Sequence, residues 1–163
     1  MASPSFDFER ASRVTAGAVG PPGKRTFYLQ VRQGAEIMSL ALEKEQLRLL
    51  AVRLQEILAN VQARPEMQAA DMALQEPLVE AWRVGSMSLA FDEEEKLIEV
   101  TLVELADEGQ DGATGHFEAS VGQMMALARH AVGVVAAGRP PCTMCGGPID
   151  HDGGVCPRLN GHR

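Results

Sequence analysis

Thr26-Phe-Tyr-Leu-Gln-Val-Arg32 runs into Glu36-Ile-Met-Ser-Leu-Ala-Leu42 and then Lys44-Glu-Gln-Leu-Arg-Leu-Leu-Ala-Val-Arg-Leu-Gln-Glu-Ile-Leu58, and this stretch decides the fold. In the first piece Phe27, Leu29 and Val31 alternate with Tyr28, Gln30 and Arg32, the period-two pattern of a half-buried strand. Gln33-Gly34-Ala35 turns the chain into a further strand, Glu36 to Leu42. From Lys44 the period changes. Leu47, Leu50, Ala51, Leu54, Ile57, Leu58 and Val61 follow helical spacing, and Pro65 ends the helix at or before Arg64.

Upstream, residues 13–19 are extended in character, and Gly20-Pro-Pro-Gly-Lys-Arg25 is a hairpin connection. Downstream, residues 63–79 read as a connector. A second strand set follows, Trp82 to Phe91, Lys96 to Leu105 and His116 to Ala119, with a turn at Asp92-Glu-Glu-Glu95. Ser120 suits a helix N-cap. Met124, Leu127, Ala128, Ala131, Val134 and Val135 line one face of the helix it opens, and Gly138 stops it.

The order strand, strand, strand, helix thus occurs twice. Arg13-Val14 and Arg83-Val84 open the two units, and Gln46-Leu47 and Gln123-Met124 begin the two helices, so the order reads as a candidate internal duplication, with units 11–64 and 80–138. Short turns between sequential strands favour antiparallel pairing. The expected class is α+β: an antiparallel sheet of about six strands, two helices on one face, and a small zinc-knuckle tail, with a body over 1–138 and the tail over 139–163.

All three cysteines lie in that tail, Cys142-Thr-Met-Cys145-Gly-Gly and then Cys156. Two thiolates two residues apart grip one tetrahedral metal, and a structural zinc site is closed by four ligands. His162 completes a Cys3His set, with His151 the rival fourth ligand and Asp150 a weaker one. The expected cofactor is therefore structural zinc, held by Cys142, Cys145, Cys156 and His162. No general base accompanies the set, which favours a non-catalytic role.

Clustered, odd-numbered thiols fit the reducing cytoplasm. No apolar run approaches the roughly 20 residues that span a bilayer. The net charge of −7 repels a polyanion, which argues against nucleic acid. Gly20-Pro-Pro-Gly-Lys-Arg25 lacks the spacing of a phosphate-binding loop and precedes a strand rather than a helix. His116 and His130 read as ordinary strand and helix residues. Arg13, Arg25, Arg32 and Arg83 would converge on an anion if the two units faced each other, which gives an alternative reading. In it an enzyme or sensor holds a phosphorylated metabolite in a pocket between the units, lined by Arg13 and Arg83.

Arg13-Val-Thr-Ala-Gly-Ala-Val-Gly-Pro-Pro-Gly-Lys-Arg-Thr-Phe-Tyr-Leu-Gln-Val-Arg32, Ser39-Leu-Ala-Leu-Glu-Lys-Glu-Gln46, Gly138-Arg-Pro-Pro-Cys-Thr-Met-Cys-Gly146 and Cys156-Pro-Arg-Leu-Asn-Gly161 resemble a bacterial family catalogued as domain of unknown function 3090. The resemblance runs over nearly the whole chain and implies no established activity. It implies gene neighbours encoding a histidine-phosphatase-like and a lipid-kinase-like protein, hence a protein partner of kinase-like or phosphatase-like kind. It also implies a histidine where this chain has Gly154, which leaves His162 or His151 as the substitute ligand. The expected function is a cytoplasmic zinc-binding adaptor.

Overall fold

The computed structural model describes residues 3–21, 23–62, 64–65 and 71–137. The tail at 139–163 lies outside them. Strands β1 (Phe6–Phe8), β2 (Arg13–Val19), β3 (Thr26–Gln33) and β4 (Glu36–Leu42) lead into helix α1 (Lys44–Leu58). Strands β5 (Glu80–Asp92), β6 (Leu97–Glu104) and β7 (Thr114–Ser120) lead into α2 (Val121–Ala136). Both strand–strand–strand–helix runs are therefore present, and α+β holds.

The expected sheet needs correcting: it has seven strands and is mixed. Its order is β1-β7-β6-β5-β4-β3-β2, with β1 parallel to β7 and β4 parallel to β5. The other neighbours are antiparallel. The parallel β4–β5 pair exists because α1 and the segment after it carry the chain across the sheet, the kind of crossover that parallel neighbours need. Phe6-Asp7-Phe8 is too short to show a period, so β1 escapes a pattern reading.

A flat sheet of this size would be about 29 Å wide at the usual strand spacing. Yet β1 and β2, its two edges, are separated only by residues 9–12, which reach about 18 Å when fully extended. The sheet must curl. Hydrogen bonds record the closure: Ala11 N–H donates to Glu118 O on β7 (2.8 Å), and the next residue, Ser12, donates to Arg32 O on β3 (2.7 Å).

Register sorts the two faces. Val14, Ala16, Leu29, Val31, Leu40 and Leu42 share the inner face with Trp82, Val84, Ile98, Val100, Leu102, Phe117 and Phe8, all buried in one core with Leu47, Leu50, Leu54, Met124 and Leu127 of the helices. A bulge between Val84 and Ser86 lets both Val84 and Met87 face inward. On the outer face, residues 71–77 lie across the first strands. Thr15 Oγ1 donates to Met72 O, and the Gln30 amide exchanges hydrogen bonds with the Gln75 backbone. Gly17 is needed here, because a Cβ on it would stand 2.6 Å from Leu74 Cγ.

The helix starts follow their capping residues. Ser120 Oγ accepts from Gln123 N–H (3.0 Å), and Gln123 Oε1 accepts from Ser120 N–H (2.8 Å). Gln46 Oε1 likewise accepts from Glu43 N–H (2.7 Å). Each glutamine also reaches across to another part of the chain: Gln46 Nε2 donates to Val84 O (3.0 Å) and Gln123 Nε2 to Ala11 O (2.9 Å). Helix α1 stops at Leu58, within the bound that Pro65 sets. Val61 still packs on the core from a turn in which its N–H bonds Leu58 O, so the apolar spacing outlasts the helix.

Candidate functional site

Two places on the described surface gather functional groups. The first is the outer face of β6 and β7. Glu99 sits opposite Glu118 in the ladder, and His116 opposite Thr101, so Glu99, His116 and Glu118 project from one side of the sheet. Their ligating atoms lie within 4.8 Å of one another. Asp7, the register partner of His116 on β1, places Oδ1 3.0 Å from His116 Nδ1. That contact orients the ring and leaves Nε2 for another partner.

The hydrogen bond to Glu99 holds the Glu118 carboxyl above its ordinary range, helped by desolvation and by the charges of Glu99 and Glu9, while His116 opposes the shift. Donor atoms around a tetrahedral zinc stand about 3.4 Å apart, so this group would have to draw in to hold one. As placed it is a pair of neighbouring carboxyls beside an oriented histidine. Period-two alternation could have put Glu99, His116 and Glu118 on outer faces, but only the register brings them together.

The second place is a groove of about 430 Å³ between α1 and β5, lined by Gln46, Leu49, Leu50 and Arg53 on the helix and by residues 85–89 on the strand. Strand β4 pairs with β5 only as far as Ala41 and Arg83, whereas β5 continues to Asp92. Its far end meets an open hollow lined by Phe91, Asp92, Glu93, Glu94 and Glu99. A signal for this overhang was in the sequence: the strand Trp82 to Phe91 is longer than Glu36 to Leu42.

Of the residues singled out from sequence, Cys142, Cys145, Cys156, His162, His151 and Asp150 lie outside the described residues. The four arginines are each engaged within the chain. Arg13 donates to the carbonyls of Asp71 and Ala73, and Arg32 to Gly34 O (2.7 Å) and Gln75 Oε1 (2.9 Å). Arg25 donates to Val134 O (3.1 Å) and lies over the Phe27 ring. Arg83 pairs with Glu43 at 2.8 Å. Burial, then Arg32, lowers the Arg13 pKa, with Asp71 opposing. His130 is pushed down by burial first and then by Arg13, against a backbone hydrogen bond at Ala16.

A family model described as protein of unknown function (DUF3090) matches residues 6–156. The chain belongs to that family. No curated protein and no solved structure matches it. The DUF3090 span begins at β1, the strand that pattern reading misses, and ends on Cys156. It therefore takes in all three cysteines and His151 and leaves His162 outside. Among the described residues of this DUF3090 chain, no helix is long and apolar enough to cross a membrane.

Proposed function

We propose that this chain is a non-catalytic zinc-binding adaptor of the cytoplasm, in which Cys142, Cys145, Cys156 and His162 hold a structural zinc and the body engages a protein partner. The observation that carries the reading is the Cys-x2-Cys pair with a third cysteine after ten intervening residues, all three inside the family span. Thiolate ligands need a reducing compartment to stay free of disulfides. Zinc bound there contributes folding energy to the tail, about 10 kcal/mol at neutral pH in comparable peptides. The resemblance's gene neighbours favour a kinase-like or phosphatase-like partner. The metabolite-sensor alternative draws less support, because Arg13 and Arg83 already bind a backbone segment and a carboxylate.

The test is metal content by mass spectrometry of reduced protein purified without added metal. One zinc per chain is expected, lost in Cys142→Ser and in Cys156→Ser. His162→Ala compared with His151→Ala then identifies the fourth ligand. Absence of zinc from the wild-type chain overturns the reading.

A further inference from the structure

Strand β5 has thirteen residues, and past Arg83 no described element pairs with the side of it that faces away from β6. The chain of β4 leaves the sheet at Leu42 and becomes α1 at Lys44. The side chain of Gln46 satisfies Val84 O. From Ser86 to Asp92, alternate residues of β5 turn their backbone N–H and C=O groups toward the groove along α1, with no partner among the described residues. An open edge of this kind is a template for another extended chain.

The groove beside that edge is apolar where an added strand would place inward side chains. Met87 and Leu89 point to the inner face and are half-buried, Leu50 forms the floor, and Leu49 on the rim is 47% exposed. At the far end of the edge the charge turns negative, where Asp92, Glu93 and Glu94 form the turn out of β5. Arg53, the cation on the groove wall, is already paired with Glu56 at 3.1 Å. The backbone groups specify an extended occupant, the groove specifies alternate apolar side chains, and the acidic end specifies a cation.

We propose that the free edge of β5, Ser86 to Asp92, binds an extended peptide segment of a protein partner by strand addition. The segment carries apolar residues at alternate positions and a Lys or Arg beside Asp92–Glu94. Strand addition draws affinity from main-chain hydrogen bonds and specificity from side-chain pockets. This deepens the adaptor reading and rests on it for the partner being a protein; the zinc site has no part in the contact.

The experiment is selection from a display library of random octapeptides on the immobilised full chain. The enriched peptide is then synthesised and its binding site mapped by amide chemical shifts. Expected are sequences that alternate apolar and polar residues and end in Lys or Arg, with shifts confined to residues 85–94 and to Leu49, Leu50 and Arg53. Leu49→Glu should weaken the synthesised peptide at least tenfold. Glu93→Lys with Glu94→Lys, in a solvent-facing turn, should switch the selected terminal residue to Asp or Glu.

The proposal is overturned by no enrichment, by shifts elsewhere, or by an unchanged charge preference in the double variant. It is also overturned by a dimer in sedimentation whose 86–92 amides are protected, which would assign the edge to a second copy. Cys145→Ser must leave peptide binding intact and the double variant must leave zinc content intact, so failure of the edge and failure of the zinc reading are told apart.

Discussion

Replacing Phe8 with alanine tests whether the three-residue strand β1 is part of the closed sheet or merely laid against it. Phe8 is 1% exposed, stands opposite Phe117 in the parallel ladder, and has its ring 4.9 Å from that of Phe6. Removing a fully buried phenylalanine forfeits its transfer free energy and leaves a cavity, together about 3–5 kcal/mol. The site cannot readily collapse. Residues 9–12 are tethered on both sides, by Ala11 to Glu118 and by Ser12 to Arg32, and Pro4 O is held by Trp82 Nε1 at 2.7 Å. With a urea m-value of about 2 kcal/mol/M, a loss of about 4 kcal/mol moves the unfolding midpoint down by about 2 M. The assay is urea unfolding followed by Trp82 fluorescence, with Phe6→Ala, at a half-buried position, as the milder comparison at about 1 kcal/mol. A shift below about 0.5 M for Phe8→Ala, with the m-value unchanged, would refute the argument that β1 closes the core.

Three further outcomes are expected. Cys145→Ser should abolish zinc binding yet leave the urea midpoint of the body unchanged; loss of the whole cooperative transition would contradict the two-part organisation. Glu118→Gln should raise the midpoint near neutral pH, because the carboxyl beside Glu99 is held above its ordinary range and the native state carries that repulsion once both groups ionise. The advantage should disappear below about pH 4, where the unfolded carboxyl is also protonated, and a constant difference across pH would refute the pairing. His130 has a depressed pKa, so its contribution to stability is present above about pH 6.5 and is lost as pH falls through the unfolded value toward the folded one. His130→Gln should flatten the decline in midpoint between pH 7 and pH 5, read by the same urea series.

Local chemistry made much of the body legible. Alternation at Phe27, Leu29 and Val31 marks β3, and their inward direction follows from the same period. The break of period after Leu42 places the start of α1 at Lys44, and Ser120 with Gln123 starts α2 at Val121. These signals act within a few residues, through side-chain direction and capping, and therefore survive in a single sequence. The Cys-x2-Cys pair is legible for the same reason, since its geometry is set by spacing alone.

What the sequence determined by itself was the identity and order of the long elements and which of their residues face the core. Only the tertiary structure decided which strands became neighbours. The parallel β1–β7 and β4–β5 pairs, the closure through Ala11 and Ser12, and the meeting of Glu99, His116 and Glu118 all join residues far apart in the chain. Such contacts form because a curled sheet buries Phe8 and Phe117 in the same core as the two helices. No local period encodes that gain, because it belongs to the whole packed core rather than to any one segment.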